Sequence, residues 1–238
     1  MGESALLILE GPWWTPADKP KRPSVLPFLE GLEQYKGNFN IYHSNFYETN
    51  GFRRALEDDL VHTREDRLFL YIAAHGGNRM VGSMESESGK TITTGMRLTT
   101  LLKDVRKVAS YSNIEGVLLG SCTLGANRSD LLSTLKASPI VWIFGYACEI
   151  DWISSTLVDL SLLEHVMALK KEDLRSRTRI IGAFTSALQR FSGDFIICKE
   201  ENRNVPLKHA ISLLIKPRRP DARPEDKTRA LLDNLGWV

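Results

Sequence analysis

The chain has 238 residues, 42% of them hydrophobic and 25% charged, with a formal net charge of +2. That is the length and composition of one sizeable globular domain, and the near-neutral charge points to neither a nucleic-acid nor a membrane partner. No run approaches the roughly twenty apolar residues of a membrane span. Three cysteines, Cys122, Cys148 and Cys198, are odd in number and widely spaced. Such spacing argues against a disulfide framework and fails the usual zinc pattern of paired close ligands, so neither a metal nor a cofactor is expected. The start, Met1-Gly2-Glu3-Ser4-Ala5, has no basic stretch, and Leu6 spoils a myristoylation pattern. The expected location is therefore the reducing cytoplasm.

In chain order, Ala5–Leu9 reads as a buried strand. The segment Gly11-Pro12-Trp13-Trp14-Thr15-Pro16, with Lys19-Pro20-Lys21-Arg22-Pro23 after it, is too rich in proline for regular structure and reads as a long loop. A short helix over Phe28–Tyr35, a strand over Phe39–His43 and a helix over Gly51–Val61 come next. Leu68–Ala74 is an apolar run ending in His75-Gly76-Gly77. Met80–Met84 and Thr91–Thr94 predict a hairpin, and Leu98, Leu101, Leu102 and Val105 mark a helix leading to a second apolar run, Gly116–Ser121, which ends in Cys122. Asn127 or Ser129 caps the next helix. Ser138–Gly145 predicts another core strand and Trp152–Leu169 a long amphipathic helix.

Beyond residue 170 a charge-dense stretch, Lys170–Arg179, reads as a solvated face. Phe195–Lys199 and Leu207–Ile215 read as added strands. A proline-broken basic linker over Pro217–Pro224 leads to a last helix ending near Trp237. Strands alternating with helices imply a mostly parallel sheet covered on both faces. The expected division is a core over 1–169 and an extension over 170–238 that completes or docks on the same domain.

The two apolar runs ending in His75 and Cys122 carry the chemistry. Each has the length of a strand buried on both faces, and open parallel sheets place their ligands at strand carboxyl ends. On its own, Cys122 would be a small buried core residue and His75 a turn residue. Together and in this order they make a nucleophile and a base. A free thiol is mostly protonated near neutrality, and only the thiolate attacks; an imidazole beside it takes the proton and returns it to the leaving amine. The oxyanion then needs backbone N–H donors, for which Gly76, Gly77 and Cys122 are placed. This reads as a cysteine peptidase site.

These boxes resemble the caspase-like peptidases (clan CD), nearest in pattern to the CHAT and separase-like branch. Ile72-Ala73-Ala74-His75-Gly76 is similar to the family's His box, and Leu118–Gly125 to its Cys box. Ser138–Gly145 matches the next core strand, and Cys148-Glu149-Ile150-Asp151-Trp152 falls where the family builds its primary specificity pocket. The resemblance covers roughly Ala5 to Met167. It implies an α/β three-layer sandwich and a Cys122/His75 dyad acting on a protein or peptide substrate.

Within that resemblance Asp151, or Glu149 beside it, implies cleavage after Arg or Lys, because a carboxylate pairs with a basic side chain. Cys148 and Trp152 would complete that pocket. Asp151 also suits an N-cap for the helix starting at Trp152. By fold-level analogy the chain would be a regulated effector in bacterial antiviral defence or cell death, switched by an activating protein or a small signalling nucleotide stacking near Trp13-Trp14 or Trp152. The alternatives are an inert binding module that senses a partner or nucleotide-type ligand, and a small-substrate thiol enzyme. His43, His62 and His165 read as surface or structural residues.

Overall fold

The computed structural model describes residues 4–12, 23–85, 91–200 and 203–237. The chain begins with β1 (Ser4–Glu10), α1 (Leu26–Lys36), β2 (Phe39–Asn45) and α2 (Thr49–Arg54), and α2 runs on as a π-helical turn over Ala55–Leu60. Next come β3 (Arg67–Ala73), β4 (Gly76–Gly77), β5 (Met80–Glu85), β6 (Thr91–Arg97), α3 (Leu98–Ala109), β7 (Ile114–Gly120) and α4 (Arg128–Lys136). The remainder is β8 (Trp142–Tyr146), α5 (Trp152–Val166), α6 (Arg177–Leu188), β9 (Ile196–Glu200), β10 (Arg203–Pro206), α7 (Leu207–Ala210), β11 (Ile211–Ile215), β12 (Glu225–Asp226) and α8 (Thr228–Leu235).

Seven strands form the central sheet in the order β12-β11-β8-β7-β3-β1-β2. The five from β2 to β8 are parallel, and β11 and β12 join antiparallel. Every residue of β1, β3, β7, β8 and β11 is buried, whereas only Phe39 of the edge strand β2 is. That is why the central strands are continuous apolar runs, with no polar face to show to water. Their side chains alternate between two cores. Leu6, Ile8, Phe69, Tyr71, Leu118 and Phe144 meet Leu29 of α1, Leu162 of α5, Phe184 of α6 and Leu231 of α8. Leu7, Leu9, Leu70, Ile72, Val117 and Ile143 meet Phe52 of α2, Leu101 and Val105 of α3 and Leu131 of α4. The result is the expected three-layer α/β sandwich.

Several sequence expectations shift. The helix read over Gly51–Val61 is α-helical only to Arg54 and then widens into the π turn. Leu207–Ile215 is a strand only from Ile211, because Leu207–Ala210 turns helically first. The basic stretch after Pro217 is no free linker. Arg218 donates its backbone N–H to Leu174 O at 2.8 Å and its guanidinium meets buried Glu115 at 3.1 Å. Glu115 also pairs with buried Arg67 at 2.6 Å, so this carboxylate ties β7, β3 and the late segment together. Trp237 packs on Gly193 and the core below α6, which docks the tail onto the sandwich. His43 is not a surface residue. Its ring is 16% exposed and sits 2.9 Å from the buried carboxylate of Glu10. The loop through Trp13-Trp14 lies mostly outside the described residues, as does the turn between β5 and β6.

Candidate active site

Strand register delivers the His and the Cys together. Ala73 of β3 pairs with Gly120 of β7, and each precedes its reactive residue by two positions. Parallel neighbours lie about 4.8 Å apart, so His75 and Cys122 leave the sheet side by side at its carboxyl edge. Both are half-buried.

Close backbone packing fixes the junction. A Cβ placed on Gly76 would sit 2.3 Å from the carbonyl oxygen of Cys122 and 3.0 Å from its nitrogen, so only glycine fits there. Two residues on, Asn78 and Arg79 take positive φ values of 48° and 62° in a two-residue turn between β4 and β5. That is the primed turn that suits the twist of a tight hairpin. It folds back so that Gly82 donates its N–H to His75 O at 2.7 Å. On the other side Thr123 holds φ of 60°, a left-handed value that is unusual for a β-branched residue. Its N–H is fixed by Cys148 O at 2.8 Å. The chain then turns sharply through Leu124–Ala126, where Gly125 lies directly on the backbone of Gly145 in β8, and Cys122 is left at the tip.

The Cys122 thiol is held above the ordinary thiol range, first by burial and next by the Glu149 carboxylate. Backbone N–H groups of Ile150, Gly76 and Cys122 itself pull the other way. Ile150 N–H points at Sγ from 3.4 Å. Burial outweighs these donors, so the thiol favours its neutral form and needs a base beside it to attack.

In the segment expected to form the specificity pocket, Cys148 is buried, Glu149 and Asp151 are exposed, and Trp152 opens α5. Oδ1 of Asp151 accepts the Ser154 N–H and hydroxyl, each at 2.9 Å, so the residue caps α5 as its position suggested. The Trp152 ring packs edge-on against Phe28 of α1, with centroids 5.6 Å apart. This segment is already hydrogen-bonded to its neighbours. Ala147 donates to Ala210 O, Glu149 to the Glu200 carboxylate and Asp151 to Ile197 O. Along its length β8 is paired on both sides, by β7 and β11, so it offers a peptide no free edge.

The Ile150 N–H, Cys198 and Glu200 carry no sequence signal that marks them for this site. A backbone donor has no residue signature, and the other two lie on a strand that reads as an appendage. His165 bonds Ser161 O within its own helix at 2.9 Å, and His62 is exposed. A cavity of about 710 Å³ opens at the opposite, amino end of the sheet, beside Ser4, Phe39, Arg67 and Leu169, well away from Cys122.

A seven-stranded, mostly parallel sheet sandwiched by helices is a fold the chain shares with a solved cysteine protease. Among solved structures the chain is similar to a secreted C11 cysteine protease from Bacteroides thetaiotaomicron in complex with an irreversible peptide inhibitor. The TM-score is 0.51 at 10% identity, over 90% of this chain and 66% of that one. A second structure of a secreted C11 cysteine protease from the same organism, iotapain, gives a TM-score of 0.48 at 11% identity over the same shares. An inactive zymogen C11 protease from Parabacteroides distasonis gives 0.37 at 9%, over 100% of this chain and 97% of that one. At such identities the likeness is one of fold, and the chain spans only 66% of the first neighbour's length. No protein-family model matches the chain, and no curated protein does.

Proposed function

We propose that this chain is a cysteine peptidase in which Cys122 is the nucleophile, His75 the general base, and the N–H groups of Cys122 and of Gly76 or Gly77 the oxyanion donors. One observation carries the reading. The register pair Ala73 and Gly120 brings His75 and Cys122 off adjacent strands, with Gly76 packed on the Cys122 backbone. In the first step the imidazole takes the thiol proton, and sulfur attacks the scissile carbonyl. The resulting oxyanion is held by the backbone donors, and the imidazolium protonates the departing amine. Water then hydrolyses the thioester.

Specificity after Arg or Lys is the favoured reading of the pocket. The cap on α5 engages Oδ1 of Asp151, and an exposed carboxylate suits a guanidinium or ammonium, with Glu149 adding negative charge. The resemblance to the CHAT and separase-like branch supports the same sign. The neutral-leaning thiol and the committed 147–151 segment support a resting enzyme switched on by an activating protein or small signalling nucleotide, as in effectors of bacterial defence or cell death. A cytoplasmic setting fits the free cysteines.

A fluorogenic peptide panel varied at the residue before the cut, run on wild type and Cys122→Ala with and without lysate from infected cells, tests this. Cleavage after Arg or Lys that vanishes in Cys122→Ala is expected. No cleavage under any condition, with Cys122 inert to iodoacetamide, would instead favour a binding module on this fold.

A further inference from the structure

Cys148 lies in the β8–α5 connection, and Cys198 and Glu200 lie on β9, so some fifty residues separate the first from the other two. Folding brings one ligand atom from each, two thiol sulfurs and a carboxylate oxygen, within 4.8 Å of one another. Both cysteines are 8% exposed, and Glu200 is half-buried. A pair of thiols alone would be ordinary core filling. A carboxylate oxygen within the same distance of both sulfurs makes a set of three convergent ligand atoms instead.

We propose that Cys148, Cys198 and Glu200 form a binding site for a thiophilic divalent metal ion, zinc by preference.

Ligand atoms around tetrahedral zinc, with Zn–S near 2.3 Å, sit roughly 3.5–4 Å apart, so the present cluster needs only a small contraction. Two thiolates select zinc over calcium or magnesium, and a single carboxylate is compatible with it. Glu200 is already oriented, since its Oε1 accepts the Glu149 N–H at 2.7 Å. Three protein ligands leave the fourth position for water. On binding, two S–H bonds break, two metal–sulfur bonds form, and two protons pass to solvent, so affinity rises with pH. The site would also reach the nucleophile. Cys148 O holds the Thr123 N–H next to Cys122, and two residues on, Ile150 N–H faces its sulfur. A metal pinning Cys148 to β9 therefore fixes the segment against Cys122. That consequence rests on the peptidase reading; the metal site does not.

The test uses chelator-stripped, reduced full-length protein. Cobalt(II) is titrated while thiolate-to-cobalt charge transfer is followed, and zinc affinity is read by competition with a chromophoric chelator. One equivalent giving a two-thiolate spectrum, unchanged in Cys122→Ala and lost in Cys148→Ser and Cys198→Ser, is expected. Glu200→Gln should weaken zinc by more than about 10-fold. Because the Cys122→Ala protein is titrated too, a failed peptidase assay has no bearing on the metal result. The proposal is overturned by absence of charge transfer, or by a spectrum that disappears with Cys122→Ala and survives Cys198→Ser. Should the serine variants not fold, zinc protection of Cys148 and Cys198 from alkylation in wild type, mapped by mass spectrometry, decides it. Equal labelling with and without zinc would refute the site.

Discussion

Cys122 has a measurable signature in its own titration. Burial and Glu149 raise its thiol above the ordinary value against the pull of three backbone donors. Iodoacetamide labelling of Cys122 should therefore climb steadily into the alkaline range; fast labelling independent of pH below neutrality would show a resting ion pair with His75 instead. Gly76→Ala is the second residue-scale probe. Its Cβ would meet the Cys122 carbonyl at 2.3 Å, and backbone cannot swing aside as a side chain can. We expect cleavage to fall by at least about 100-fold with far-ultraviolet circular dichroism unchanged. Near-wild-type turnover would mean that this contact does not set the site. At this scale His75 and Cys122 could be read from the chain because each ends an apolar run. His43 could not, since its partner Glu10 comes from a different strand.

At the scale of elements, α5 separates two roles of Asp151. The carboxylate caps the helix through the Ser154 N–H, so Asp151→Ala should cost about 1 kcal/mol in urea unfolding. Asp151→Ser retains a capping oxygen and should restore that stability while abolishing any preference for Arg or Lys before the cut. If both variants keep the preference, the pocket acid is Glu149 or lies elsewhere. The strands were legible because burial on both faces demands unbroken apolar runs, as in Leu6–Leu9 and Leu68–Ala74. The π turn at Ala55–Leu60 was not, because Phe52, Leu56 and Leu60 keep an apolar stripe whichever helical pitch they adopt. Neither was the helical start of Leu207–Ile215.

For the whole molecule, Asp159 links pH to stability. It is buried under the sheet, where the Tyr71 and Tyr146 hydroxyls donate to its two oxygens at 2.7 Å each. Burial raises its carboxyl from 3.8 to about 7, with the two tyrosines opposing. In that window the folded protein keeps a proton that the unfolded chain has lost. The contribution is therefore complete below about pH 4 and is lost as pH rises to about 7, a change of up to about 4 kcal/mol. Urea unfolding of wild type and Asp159→Asn across this range should show wild type losing ground as pH increases; a constant gap would contradict the assignment.

The sequence by itself determined the layers and the candidate pair. Apolar runs must be buried on both faces, and the residues just after such a run in a parallel sheet emerge at one edge, so His75 and Cys122 were placed by pattern alone. Only the tertiary structure decided what surrounds them. Ile150 N–H on the thiol and Cys148 beside Cys198 and Glu200 each join segments far apart in the chain, as Glu115 between Arg67 and Arg218 does at the opposite end of the sheet. Such contacts leave no periodicity in the sequence, because they depend on strand order and loop paths rather than on the spacing of residues along one element.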